Sequence, residues 1–272
     1  MNRKSQHAIV TGGSSGIGKV IACQLAAQGA NVSIIARGHE RLRAAQLEIE
    51  QNRTSERQKV VALAADVSDR TQAEQVIQSA IEQLGPPQML ITSAGIAYPG
   101  YFQEIPLEVF EQTMSINYFG TLYCIRAVLP AMQQQKKGEI CIISSGAGLI
   151  GLYGYSAYCP SKFAVRGLAE SLRSELKPMG ITLSIVYPPD TDTPQLAEEN
   201  KTKPPATKEM TATAKLWQAD DMASAILRGM EKKVFAIAPG QEMSVLNRFH
   251  SLLSPILNWY FDRIVDRHRP VG

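Results

Sequence analysis

The sequence predicts an α/β fold, a doubly wound parallel sheet of seven strands with helices on both faces. Three observations predict it. Short apolar runs alternate with segments of helical period over the first two thirds of the chain, the pattern of successive βαβ units. Runs such as VSIIA (32–36) and CII (141–143) are almost wholly apolar, as strands covered on both faces must be. A Gly-rich turn joins the first strand to the first helix. Right-handed crossovers then place helices on both sides of the sheet.

Apolar runs place strands at 7–10, 31–36, 60–65, 89–93, 139–144 and 181–187, with a late seventh at 234–238. Helical periodicity fills the gaps at 17–28, 40–52, 71–84, 106–135, 156–177 and 220–231. No repeat and no interdomain linker appears, so residues 1–272 are expected to form one domain. Segment 189–215 departs from the alternation: it is polar, rich in Thr and carries three prolines after Pro189. It follows the sixth strand, and ligands in such sheets sit beyond the carboxyl ends of the strands. A mobile substrate lid is therefore expected rather than a plain surface loop, since long irregular loops in compact domains are usually functional.

Composition removes several classes. With 272 residues, 44% hydrophobic and 19% charged, the chain is not disordered. A net charge of +3, evenly spread, gives no footprint for nucleic acid. Cys23, Cys124, Cys141 and Cys159 are far apart with no CxxC, so neither a metal site nor a disulfide framework is expected, and a reducing, cytoplasmic compartment fits. Met1 to His7 is polar, unlike a signal peptide. No run approaches the roughly 18 apolar residues of a membrane span.

Thr11-Gly12-Gly13-Ser14-Ser15-Gly16-Ile17-Gly18 stands between the first strand and first helix. Glycines there permit a tight turn and close backbone approach to a pyrophosphate on the helix N-terminus. The carboxylate that grips a ribose 2′-OH, about 20 residues on, is absent; Ala36 is followed by Arg37, with Arg41 one turn later. Guanidinium groups pair bidentately with phosphate, and Ser14 adds a donor, so the 2′-phosphate of NADPH is favoured. Asp66 and Val67, after the third strand, suit an adenine amino group and ring, although Asp there is also a common helix cap. Tyr158 and Lys162 fall at i, i+4 on one helix face. A neighbouring ammonium is expected to lower the phenol's pKa, letting it donate a proton to a forming alkoxide and regain it. Ser145, at the end of the fifth strand, can hold a carbonyl oxygen, with Ser144 as the competing hydroxyl. Asn117 lies within an apolar helix, where its poor propensity implies a specific partner. Cys159 should turn away from the tyrosine's face and serve packing.

In order and spacing, TGGSSGIG, Ser93-Ala94-Gly95, Asn117, Ser145 and YCPSK resemble the short-chain dehydrogenase/reductase family over about residues 7–240. The resemblance implies a Rossmann-type fold and a Ser145–Tyr158–Lys162 triad with Asn117 as a water-holding fourth member. It implies hydride transfer from the B face of a nicotinamide, with Lys162 on the ribose hydroxyls. Ser93, Ala94 and Gly95 would line the adenosine side, and Pro188, Thr191 and Thr193 the nicotinamide end. Two departures stand out: Thr92-Ser93 replaces the usual Asn-Asn, and Pro188-Pro189 replaces Pro-Gly. The segments Tyr187–Pro194 and Ala197–Pro204 further resemble the 3-ketodihydrosphingosine reductases, which implies NADPH-dependent reduction of a long-chain keto-amine lipid. Reduction of another hydrophobic ketone (steroid, retinoid or acyl) is the alternative, and a non-catalytic NADPH-binding protein would have lost Tyr158 or Lys162. Relatives also imply a homodimer or homotetramer built through the fourth and fifth helices.

At 240–268 the sequence predicts a C-terminal amphipathic extension. Ser254-Pro255 reads as a helix start, and Ile256, Leu257, Tyr260, Phe261, Ile264 and Val265 make one apolar stripe. Val245, Leu246, Phe249, Leu252 and Leu253 give a second short face, and the two pieces could form a hairpin lying in a membrane interface, with Trp259 at that depth. Packing on the parent domain or a second subunit is the competing reading. In a eukaryotic cell the membrane would be that of the endoplasmic reticulum.

The cofactor reading is tested by Arg37→Asp, which removes a phosphate partner and adds a like charge. Preference should move from NADPH toward NADH; unchanged kinetics with both cofactors would remove Arg37 as the selector.

Overall fold

The structure is a computed structural model that describes residues 3–212 and 215–268. In chain order it contains β1 (His7–Thr11), α1 (Gly16–Ala27), β2 (Asn31–Ala36), α2 (His39–Gln51), β3 (Val60–Ala64), α3 (Arg70–Leu84) and β4 (Met89–Thr92). Then follow α4 (Leu107–Met114), α5 (Gly120–Gln135), β5 (Gly138–Ile143), α6 (Tyr158–Leu176), β6 (Ile181–Val186) and β7 (Thr191–Asp192). The chain continues through α7 (Pro194–Thr202), α8 (Pro205–Thr211), β8 (Trp217–Gln218), α9 (Ala219–Glu231), β9 (Ala236–Ile237) and α10 (Gln241–Arg267).

Seven strands form one sheet in the order β3-β2-β1-β4-β5-β6-β9, and every pairing is parallel. Alternate residues of each strand serve opposite faces. Ala8 and Val10 pack with Ile21 of α1, Leu42 of α2 and Met222 of α9. Ile9, between them, packs with Val76 of α3, Val128 of α5 and Val165 of α6. The sheet is thus buried on both sides, which explains its apolar strands. Winding reverses between β1 and β4, and the crevice at such a switch point is where ligands bind.

The expected strands and the first three helices are present within a residue or two. Three expectations need correction. The helix expected over 106–135 is interrupted by a π-helical turn, Ser115–Phe119, with Asn117 at its centre; such turns often mark functional sites. Segment 189–215 is not an irregular loop. Thr193 caps α7, its Oγ1 accepting from the Leu196 amide at 3.2 Å. Pro194 and Pro205 open α7 and α8, where a proline's missing N–H costs nothing. The prolines that read as loop signals are helix starts; Thr213 and Ala214, at the end of that segment, lie outside the described residues.

The C-terminal hairpin is the third correction. Residues 241–267 form one helix that runs through Pro255. Proline deletes one internal hydrogen bond, but Ser251, whose carbonyl loses its donor, is exposed. Nor is the predicted stripe all free. Ile264 is fully buried, and Phe261 and Val265 join it against Ala206 and Met210 of α8. Upstream, Met243 is buried on the main domain and Leu246 packs beside it.

Candidate active site

A cleft of about 980 Å³ runs along the carboxyl ends of the strands. At its first end the backbone of β1 meets that of β4. Gly12 has φ +68°, and a Cβ there would stand 2.7 Å from the Ala94 amide nitrogen and the Ser93 carbonyl. A Cβ on Gly18 would meet the Gly12 carbonyl at 2.5 Å. These contacts draw the turn tightly under the N-terminus of α1. That terminus has no acidic residue in its first turn and no side-chain bond from its cap, Ser15. Its N–H groups and positive dipole end are thus left for an anion, and this donor set fits a dinucleotide pyrophosphate.

Gly12, Ser14, Ser15, Gly16 and Ile17 line the cleft, while Gly18 lies behind the turn. Arg37, Arg41, Asp66 and Val67 line the adenosine end with Ser93, Ala94 and Gly95. Arg37 and Arg41 are exposed. Arg37 Nη1 is 3.8 Å from Asp66 Oδ2, an exposed pair worth little, which leaves the guanidinium available to a phosphate. Asp66 Oδ1 accepts from the Ser68 amide and hydroxyl. Pro188, Thr191 and Thr193 line the other end; the Thr191 hydroxyl donates to the Pro189 carbonyl at 2.9 Å.

Tyr158 and Lys162 occupy the buried first turns of α6. The Ser145 hydroxyl stands near that of Tyr158, on the side where it favours the ionised phenol. Both serines border the cleft, but the Ser144 hydroxyl donates inward to the Lys162 carbonyl at 3.4 Å, which leaves the Ser145 hydroxyl on the side of the phenol. Lys162 Nζ donates to the Ile143 carbonyl at 3.0 Å and stands 5.5 Å from the centre of the Tyr158 ring. Gly95 makes room beside it for Asn117: a Cβ there would lie only 3.2 Å from Asn117 Oδ1, while Nζ at 3.6 Å would be in ordinary contact. The partner expected for Asn117 is the Ile96 backbone, with Oδ1 accepting from its amide at 2.9 Å and Nδ2 donating to its carbonyl at 3.0 Å. Nδ2 also reaches Ser161 Oγ at 2.9 Å. Asn117 therefore sits behind the cleft wall, clamping β4's loop to α6.

Electrostatics reverse one expectation. The Tyr158 phenol is pushed up from its ordinary value, first by burial and then by the negative field of Glu199. Lys162, the ammonium expected to lower it, itself loses solvation on burial and is lowered to about 8. The phenol is held as a proton donor. Cys159 accepts from the Leu152 amide at 3.4 Å and its thiol is raised to about 11 by burial, as a packing residue's should be.

Glu199 was not singled out in the sequence. It is 8% exposed and lines the cleft from α7 beside Tyr155. Its Oε2 accepts from the Tyr155 hydroxyl at 2.6 Å and its Oε1 from Gln195 Nε2 at 2.9 Å. Lys203, also buried, lies 3.4 Å from Asp190. Charges in a polar, Thr-rich stretch read as solvated; only folding of 189–212 over the cleft buries them. Among the described residues no group of three or more His, Cys, Asp and Glu could hold a metal ion.

The fold, the glycine turn and the Ser145–Tyr158–Lys162 cluster define a dinucleotide-binding oxidoreductase, and the short chain dehydrogenase family model matches residues 6–204. The chain belongs to that family, and its cofactor is a nicotinamide dinucleotide. A 3-dehydrosphinganine reductase of Danio rerio is 42% identical over 251 residues, 92% of this chain and 76% of that protein. A 3-ketodihydrosphingosine reductase of Dictyostelium discoideum is 39% identical, covering 97% and 82%. Levodione reductase has the same fold, with a TM-score of 0.79 at 24% identity, covering 86% of this chain and 95% of its own.

With the Lys162 ammonium lowered to about 8, raising the pH removes its proton from the free enzyme. We expect kcat/KM for ketone reduction to fall as pH rises through about 8. A profile flat to the ordinary lysine value of about 10.4 would show that this ammonium is not required.

Proposed function

We propose that the chain reduces the 3-keto group of 3-ketodihydrosphingosine to dihydrosphingosine with NADPH, a step of sphingolipid synthesis. The observation that carries this reading is 42% identity across 92% of the chain to a 3-dehydrosphinganine reductase, in a cleft where Ser145, Tyr158 and Lys162 stand together. Arg37, Arg41 and Ser14 at the adenosine end support NADPH over NADH.

The chain's own groups divide the work. Ser145 Oγ holds the substrate carbonyl oxygen beside the Tyr158 hydroxyl. When bound, the cofactor supplies the hydride to the carbonyl carbon. Tyr158 gives its proton to the oxygen as negative charge develops there; burial keeps the phenol protonated until then. The Lys162 ammonium offsets the phenolate that remains. Asn117 acts by position, fixing Ile96 and α6 and so the wall on which Lys162 stands. General acid catalysis of this kind is worth typically about 10²–10⁴-fold.

The substrate and the C-terminus support a peripheral membrane contact. No helix among the described residues is long and apolar enough to cross a membrane. Along α10, however, Val245, Phe249, Leu252, Ile256 and Trp259 form an exposed apolar stripe, with Leu252 75% and Ile256 63% exposed. A long-chain keto amine resides in a bilayer, and α10 packs directly on α8 beside the cleft. Homo-oligomerisation through α4, α5 and α6 is supported by Phe119 and Phe163, exposed on that surface.

Two measurements test the proposal. Tyr158→Phe should lower turnover at least about a hundredfold while NADPH binding survives, and the wild type should oxidise NADPH fastest with 3-ketodihydrosphingosine among a steroid, a retinal and a short acyl ketone. Near-normal turnover of the variant defeats the acid assignment; a faster rival ketone defeats the substrate. For the membrane contact, Leu252→Asp with Ile256→Asp should abolish co-flotation with anionic liposomes without loss of NADPH binding, and a wild type that does not float would exclude the contact.

A further inference from the structure

The substrate proposed above, on which this inference rests, is a 2-amino ketone: its ammonium is carried by the carbon next to the one that receives hydride. Any group that recognises the ammonium must therefore stand within a few ångströms of the Tyr158 hydroxyl. Three acids line this end of the cleft: Asp190, Glu198 and Glu199. Asp190 is paired with the buried ammonium of Lys203 at 3.4 Å. Glu198 is exposed and bound to Lys201 at 2.6 Å. Glu199 is buried, and among the described residues no cation lies within ion-pair distance of it. Lys203, across the Tyr155 ring, stands 5.9 Å from that ring's centre.

A buried carboxylate with no cation is costly. Both Glu199 oxygens are held by neutral donors, Tyr155 and Gln195, which orient the charge without neutralising it. The Tyr155 ring that carries the first donor lies 5.6 Å, centre to centre, from the ring of Tyr158. The charge is felt at the reacting end: it opposes ionisation of Tyr158 and supports the ammonium of Lys162. Without it, a substrate ammonium placed there would stand beside Lys162, a like charge, with the other two acids already paired to lysines.

We propose that the Glu199 carboxylate is the counter-ion for the substrate's 2-ammonium group, and that it selects amino ketones over plain ketones of the same chain length. The residue reaches the substrate from α7, so the segment that covers the cleft also reads the amine.

The test compares kcat/KM, by NADPH oxidation with the full chain, for 3-ketodihydrosphingosine and for the same ketone lacking the amine. The wild type should prefer the amine, and Glu199→Gln, which keeps the side-chain shape and its bond from Tyr155, should lower the amine-to-plain ratio about tenfold to a hundredfold, the worth of one charge-assisted hydrogen bond. A residue that only fastens α7 to Tyr155 would depress both substrates and leave the ratio unchanged, which overturns the inference. The wild-type comparison decides even if the variant does not fold: equal kcat/KM for the two ketones overturns it as well. A wild type that reduces neither ketone while accepting other carbonyls overturns the substrate reading, and this inference with it.

Discussion

The site depends on keeping one ammonium, that of Lys162, inside the wall of the cleft. Burying a lysine charge is expensive, and the surroundings are arranged around that cost. The Ile143 carbonyl at the end of β5 accepts one of its protons. The Tyr158 ring lies alongside, and the field of Glu199 partly restores the charged form. The balance leaves an ammonium lowered to about 8 beside a phenol raised above its ordinary value, a pair able to give up and regain one proton.

A second constraint fixes where this pair sits relative to the dinucleotide. At the switch point between β1 and β4, Gly12 and Ala94 approach so closely that no side chain fits between them. That contact places the N-terminus of α1, the anion end, and the β4 loop, which Asn117 clamps to α6, on one rigid rim. The π turn at Ser115–Phe119 lets Asn117 reach inward from what is otherwise a packing helix. Arg37 and Arg41, in contrast, stay at the open end, where a hydrated guanidinium can exchange water for phosphate.

The segment after β6 joins this rigid half to the substrate. Thr193 caps the first of its two helices and prolines open both, and it brings Asp190, Glu198 and Glu199 to the cleft. It rests in turn on the last turns of α10 through Ile264. The apolar stripe of α10, the covering helices and the buried Glu199 therefore form one continuous layer, from the outer surface to the reacting carbonyl.

How much of this was legible in the chain follows from the range of the interactions involved. Strand and helix periodicity, the glycine turn and the spacing of Tyr158 from Lys162 are local patterns, and backbone sterics and helix geometry convert them directly into a parallel sheet with a phosphate turn and a polar pair at its carboxyl edge. Sequence by itself determined that much. Folding decided the rest, because charge and pKa depend on burial and on partners far along the chain. Tyr155 and Glu199 are 44 residues apart, and Asn117 and Ser161 also 44. Prolines at 194, 205 and 255 read as loop or start signals, but a helix N-terminus welcomes proline and an exposed turn tolerates it. The phenol's rise, the inward turn of the Ser144 hydroxyl and the seating of Phe261, Ile264 and Val265 on α8 were decided only by tertiary structure, since desolvation is a property of the packed whole and leaves no mark on a residue's neighbours in sequence.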